Sequence, residues 1–186
     1  MNKTEIDRIT NKMLVIKGQP LNEIVRTSSM LCLGFGDKVK GKTAYKTDEG
    51  AFKVKESEKS KYALHIDCFF RISAGDKILL TRDDMFKASS KMQDNDFDEE
   101  EFQWDIKDNN RFDEELTTVL DPENQLLSVK EIHVNIFGDL KVILSNNYCI
   151  ETFTDTSEEE ECWRFFEMGN TEAPHIVVKG SSIFEE

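Results

Sequence analysis

Tyr62-Ala63-Leu64-His65-Ile66-Asp67-Cys68-Phe69-Phe70-Arg71-Ile72 alternates without a break. Leu64, Ile66, Cys68, Phe70 and Ile72 fall on one face, and Ala63, His65, Asp67, Phe69 and Arg71 on the other. A period of two is the signature of a half-buried β-strand, and the run predicts one strand over 62–72. Shorter runs of the same kind lie on either side: Ser29–Phe35, Lys77–Thr81, Lys130–Phe137, Leu140–Leu144, Tyr148–Phe153 and His175–Lys179, rich in Val, Ile and Phe and bounded by Gly, Asn, Asp or Ser. Their short, turn-like separations favour antiparallel meanders over helical crossovers. Helical spacing occurs at Thr4–Met13, with Ile6, Ile9 and Met13 on one side, and a second short helix is expected from Asp113 to Leu120. The fold class is therefore mainly β, a β-rich α+β chain of antiparallel sheets forming a sandwich or one strongly curved sheet, with a short N-terminal helix.

Three Gly-Asp pairs follow apolar residues: Phe35-Gly36-Asp37, Ala74-Gly75-Asp76 and Phe137-Gly138-Asp139. Gly first and a polar residue second suits a type II′ hairpin, because Gly takes positive φ without strain. The first and third pairs begin stretches that arrive at Cys68-Phe69-Phe70-Arg71-Ile72 and at Cys162-Trp163-Arg164-Phe165-Phe166, and each arrival precedes a further strand. This pattern suggests a degenerate internal duplication within a single domain over 1–186, with units about 14–90 and 120–186 joined by the acidic segment 91–119.

Gly36 to Thr43, Gly-Asp-Lys-Val-Lys-Gly-Lys-Thr, also matches a phosphate-binding loop, in which Gly36, Gly41, Lys42 and Thr43 would hold a nucleotide. Such a loop needs a buried parallel strand before it and a helix after it. Residues 44–52 carry no helical stripe and include Gly50, so a lysine-rich hairpin or loop is the preferred reading, the nucleotide-binding protein is the alternative, and no cofactor is expected. Histidines 65, 133 and 175 sit on three expected strands and could converge on a metal, with Asp67 or Glu131 as carboxylate partner. Asp94–Asp98 imitates the start of a calcium loop, but Glu99 stands where the sharp turn needs Gly. No metal site is expected.

The chain has 186 residues, 38% hydrophobic and 33% charged, with net charge −13. Residues 1–65 hold 13 Lys and Arg against 8 Asp and Glu, whereas 66–186 hold 11 against 29. Such a surface repels nucleic-acid phosphates and anionic membrane, so an electrostatically steered partner should be basic. The first residues lack the apolar core of a signal peptide and no apolar run is long enough to span a bilayer, so a cytoplasmic protein is expected. The four cysteines, Cys32, Cys68, Cys149 and Cys162, are too scattered for a framework and read as reduced core thiols.

Aromatic residues are set among carboxylates at Phe97, Phe102, Trp104 and Phe112, and at Trp163, Phe165 and Phe166 after Glu158–Glu161. Phe165 and Phe166 read as core. Asp98, Glu99, Glu100, Glu101, Phe102, Trp104 and Asp105 are the candidate partner-binding residues, because interface centres favour aromatic rings and an acidic rim speeds capture of a basic protein.

Phe102-Gln103-Trp104-Asp105, Asn110-Arg111-Phe112-Asp113-Glu114, Trp163-Arg164-Phe165-Phe166 and Pro174-His175-Ile176-Val177-Val178-Lys179-Gly180 resemble a family of small bacterial proteins of uncharacterised function, over about residues 60–180. The resemblance implies a bacterial, cytoplasmic, β-rich domain and no activity. The sequence as a whole suggests a non-enzymatic acidic protein that captures a basic partner, as an immunity protein against a toxin does or as a nucleic-acid mimic inhibits a nuclease. A small-ligand-binding β domain is the further alternative.

Overall fold

The run Tyr62–Ile72 is two strands in two different sheets. A computed structural model of the chain describes residues 1–46, 51–92, 98, 101–121, 125–170 and 172–186, with the backbone alone at 43–46 and 117. One strand, β3 (Phe52–Ile66), ends at Ile66, and the next, β4 (Phe69–Ala74), starts in the other sheet after a corner at Asp67-Cys68. The alternation nevertheless keeps its phase through the corner, for Leu64, Ile66, Cys68, Phe70 and Ile72 are all buried. A chain that turns from one layer to the next can keep the same side chains inward, so periodicity registers the face and is blind to the bend.

The first sheet has the order β1 (Leu21–Thr27), β2 (Met30–Lys46), β3, β9 (Glu161–Glu167), β10 (Ile176–Lys179), β11 (Ser182–Glu185). The second has the order β5 (Lys77–Thr81), β4, β8 (Tyr148–Phe153), β7 (Leu140–Leu144), β6 (Val129–Val134). Every pairing is antiparallel. The chain is thus mainly β, with two antiparallel sheets and little helix. Helix α1 (Lys3–Met13) is capped by Asn2 and Glu5, which exchange side-chain and backbone hydrogen bonds, and it lies against β6 with Ile9 and Met13 buried. Helix α2 (Arg111–Val119) buries Phe112 and Leu116. One apolar cluster draws on both sheets and both helices, centred on Phe35, Leu64, Phe70, Phe112, Val142 and Trp163.

The two halves of the chain follow one plan. In the first, α1 precedes the meander β1-β2-β3, and the chain then changes sheet for β4 and β5. In the second, α2 precedes the meander β6-β7-β8, and the chain changes sheet the opposite way for β9, β10 and β11. Each half therefore builds part of both sheets, and β3 with β9 and β4 with β8 form the two seams. Cys68 stands in the first crossover, and Cys162 lies at the start of β9, just after the second.

Among the Gly-Asp pairs only Gly75 starts a two-residue hairpin loop, with φ +60 between the paired Ala74 and Lys77. Gly36 does not turn the chain. It lies inside β2 at a bulge, where the register slips between Phe35 opposite Tyr62 and Lys38 opposite Ser60, and its φ of +80 supplies the extra residue. Gly138 closes a five-residue loop organised by Asn135, whose Oδ1 accepts from Phe137 N and Asp139 N. The expected strand over 130–137 accordingly stops at Val134. Strands β1, β9 and β11 were not among the expected runs, nor was the first part of β3, over 52–61. β1 and β11 are short edge strands of mixed polarity, which leave little periodic signal.

Candidate protein-interaction face

The acidic, aromatic segment is held by one buried ion pair. Arg26 on β1 donates from Nε and Nη2 to the two oxygens of Asp113 on α2, at 2.8 and 2.6 Å, with the side chains 6% and 9% exposed. The same carboxylate accepts from Asp108 N at 3.1 Å and Asn110 Nδ2 at 3.2 Å. Burial works to raise the Asp113 carboxyl, but the Arg26 guanidinium and the Asp108 N–H prevail and hold it below its ordinary value. Asn110, itself fully buried, caps α2 by accepting from Asp113 N at 2.8 Å, while its Nδ2 donates to Trp104 O at 2.7 Å. Residues 86–90 complete the frame through Arg111 N to Lys87 O, Ser89 N to Asn109 O, and Ser90 N to the Glu114 carboxylate.

This frame sets Trp104 edge-on against Phe86, with ring centroids 4.8 Å apart. Phe86 is 41% exposed and Trp104 half-buried, and Ile106 beside them is also exposed. Arg82 stands over the outer part of the Phe86 ring at 5.7 Å. Glu101, Asp105 and Asp108 on the loop and Asp83 beside Phe86 are all exposed, against Lys107 on the same loop and Lys87, which faces Asp84. The exposed ring pair thus sits among chain neighbours that are mainly exposed and acidic, the composition of a protein-binding patch.

Of the sequence-predicted residues, Trp104, Asp105 and Glu101 share this face. Phe102 is half-buried and Asp98 exposed, each with partners of its own. Glu99 and Glu100 lie outside the described residues, as do Asp94–Phe97. Phe86, Arg26, Asn110 and Asp113 were not anticipated. Asp83-Asp84-Met85-Phe86 repeats the acid-flanked aromatic pattern, and Asn110 three residues before Asp113 is a helix-start signal, so both were legible. The pairing of Arg26 with Asp113 spans 87 positions and leaves no local trace.

The other candidate constellations are rearranged. Gly36 to Thr43 is antiparallel strand, with Gly41 opposite Ser57 and Lys42 opposite Glu56, and β2 continues to Lys46 with no helix after the lysine. Among the described residues this stretch is therefore strand, as a lysine-rich hairpin would be, without the helix N-terminus that a phosphate loop uses. The three histidines do not converge. His133 sits exposed on the second sheet, 3.0 Å from Glu131. His65 and His175 share the outer face of the first sheet, but Phe166 lies between them, edge-on to His65 at 5.0 Å and stacked on His175 at 4.4 Å. Phe165 is core as expected, whereas Phe166 is on that outer face. Among the described residues no group of three or more His, Cys, Asp and Glu could hold a metal ion, and no helix is long and apolar enough to cross a membrane.

The outer face of the first sheet also carries a groove of about 370 Å³, lined by Val25, Met30, Cys32, Ala63, His65 and Met168 and closed at one end by Lys42, Lys59 and Glu23. Gly34 makes it possible for Glu23 and Ser60 to meet across β2, since a Cβ there would stand 2.6 Å from Ser60 Oγ.

Comparison of the chain with protein-family models, with curated proteins and with solved structures found no match in any of the three.

Proposed function

We propose that this is a non-enzymatic binding protein that captures a basic protein through the Trp104–Phe86 face. The observation that carries the reading is a solvent-facing aromatic pair inside an acidic rim, on a loop fixed in advance by the Arg26–Asp113 pair. A preorganised loop loses little entropy on binding, so burial of the two rings goes into affinity. The carboxylates steer a cationic surface toward it. A basic groove made for nucleic-acid phosphates is the best complement, which supports the reading of a cytoplasmic bacterial immunity protein or nuclease inhibitor, in keeping with the resemblance of its aromatic motifs.

Capture from native bacterial lysate tests this. One basic protein should be retained at low salt, released as salt rises, and lost with Trp104→Ala or with Glu101→Lys plus Asp105→Lys, whereas Glu131→Lys on the far sheet leaves retention unchanged. Retention indifferent to salt or to Trp104 would overturn the reading.

The groove beneath β1–β3 favours a second reading, a site for a small amphipathic anion with its apolar body on Met30, Ala63 and Met168 and its charge toward Lys42. Anilinonaphthalene sulfonate is a direct probe. Stoichiometric fluorescence enhancement abolished by Ala63→Trp supports this site, and no enhancement removes it.

A further inference from the structure

Cys68 stands in the corner where the first half changes sheet and Cys162 at the start of β9, just after the second half does so, and the two places meet. Asp67 N and Cys68 N both donate to Cys162 O, at 2.8 and 3.0 Å. With standard bond lengths, a 3.0 Å hydrogen bond from Cys68 N to Cys162 O keeps the two Cα atoms within about 7 Å, and any bend brings them inside the range that a disulfide spans. Cys68 is 2% exposed and lines the floor of a cleft of about 550 Å³, together with Ser29, Asp67, Arg82, Asp155, Glu160 and Glu161. Cys162 lies behind it, fully buried.

We propose that Cys68 and Cys162 form a reversible dithiol–disulfide site, opened to solvent by the acidic cleft and oxidised by small cationic disulfides. In the reduced state the Cys162 thiol reaches the Glu160 carbonyl at 3.8 Å, with the Cys68 thiol as its other neighbour. The hydrogen bond from Cys68 lowers the Cys162 thiol and raises that of Cys68, while the Asp155 carboxylate opposes ionisation of both. Loss of one proton thus leaves a single thiolate shared across the contact.

Oxidation proceeds in two exchanges. The proton shared across the contact passes to Cys162, and the sulfur of Cys68, the residue that lines the cleft, attacks the S–S bond of the small disulfide as its thiolate. A mixed disulfide forms and one small thiol leaves with a proton. The Cys162 sulfur, having lost its own proton, then attacks the Cys68 sulfur and expels the second small thiol. Two protein thiols and one disulfide become one protein disulfide and two small thiols, so electrons and protons balance. The cleft selects the oxidant by charge. Asp67, Asp155 and Glu160 line the cleft with Arg82, while Glu161 is paired with Arg164, so the cleft keeps an acidic excess that concentrates a doubly cationic disulfide and repels an anionic one.

The test uses the native, reduced protein with cystamine and, separately, with oxidised glutathione. Cystamine should lower the intact mass by about two units and yield a peptide joining Cys68 to Cys162, while Cys162→Ser halts the reaction with one cysteamine held on Cys68. The cystamine rate should exceed the glutathione rate by at least about tenfold at low salt, and the gap should close toward 1 M salt. Cys32 and Cys149 lie on different sheets and serve as internal controls. Linkage that appears only in denaturant overturns the proposal. So do equal rates for the two disulfides, or reaction confined to Cys32 and Cys149; none of these outcomes depends on how the variant folds.

Discussion

Asp113→Ala removes the anchor of the interaction loop and leaves the Arg26 guanidinium, 6% exposed, without its carboxylate. Arg26 would keep Nη1 to Ser28 O at 2.8 Å and the longer approach of Nη2 to Asp105 O at 3.4 Å, neither of which neutralises it. Breaking a buried pair from one side costs about 3–5 kcal/mol. Loss of the helix-start contacts to Asp108 N and Asn110 Nδ2 keeps the value at the upper part of that range. With a urea slope of about 2 kcal/mol per molar for a chain of this size, the unfolding midpoint should fall by roughly 2–2.5 M. Arg26→Leu should cost less, about 2–3 kcal/mol, because Asp113 keeps the Asp108 and Asn110 donors. The double replacement Arg26→Leu with Asp113→Leu should be no worse than Asp113→Ala, since no unpaired charge stays buried. Trp163 is fully buried with its Nε1 donating to Gly138 O, so acrylamide-quenchable fluorescence reports on Trp104. It should rise in Asp113→Ala under native conditions, as the loop detaches. A midpoint within about 0.5 M of the parent, or single and double effects that simply add, would refute the view that this pair organises the loop.

Other outcomes follow from the same structure. Phe112→Ala empties the position against Phe70, whose ring lies edge-on at 5.7 Å, and should lower stability by about 3–5 kcal/mol in a denaturant titration. Gly34→Ala introduces a Cβ 2.6 Å from Ser60 Oγ and 2.8 Å from Glu23 Cβ, and should cost roughly 1–3 kcal/mol, relieved in part by Ser60→Gly. Stability should also fall with acid in two stages. Burial and the nearby Arg164 hold His65 below its ordinary value, so the unfolded chain takes up its proton first and stability declines as pH drops below about 6.5. The lowered carboxyls of Asp113 and Glu151 add a second decline below about pH 4. Melting temperature against pH measures both, with His65→Asn reducing the first stage, to which the likewise lowered His175 also contributes, and Asp113→Asn reducing the second.

The face at Trp104 was legible in part. Aromatic residues among carboxylates marked the segment, but composition could not say which rings would be exposed: Phe112 is core, Trp104 is not, and Phe86 joined from 18 residues away. The same limit appears at Phe165 and Phe166, neighbours in sequence on opposite sides of one strand. The histidine question had no sequence answer at all, because a strand's place in a sheet is set by pairing partners far along the chain.

Local chemistry by itself determined the class of fold. Alternation in β3 and β4, the capping box of α1, and the Gly75 turn each depend on neighbours within a few residues, and their physics is complete at that range. It also determined which side chains face the core through the corner at Asp67-Cys68. Only the tertiary structure decided that this corner exists, that Gly36 is a bulge, that each half of the chain exchanges strands with the other, and that Cys68 therefore meets Cys162. Those outcomes come from burying two sheet faces against each other at once, a condition that couples residues about ninety positions apart and leaves nothing in any local pattern.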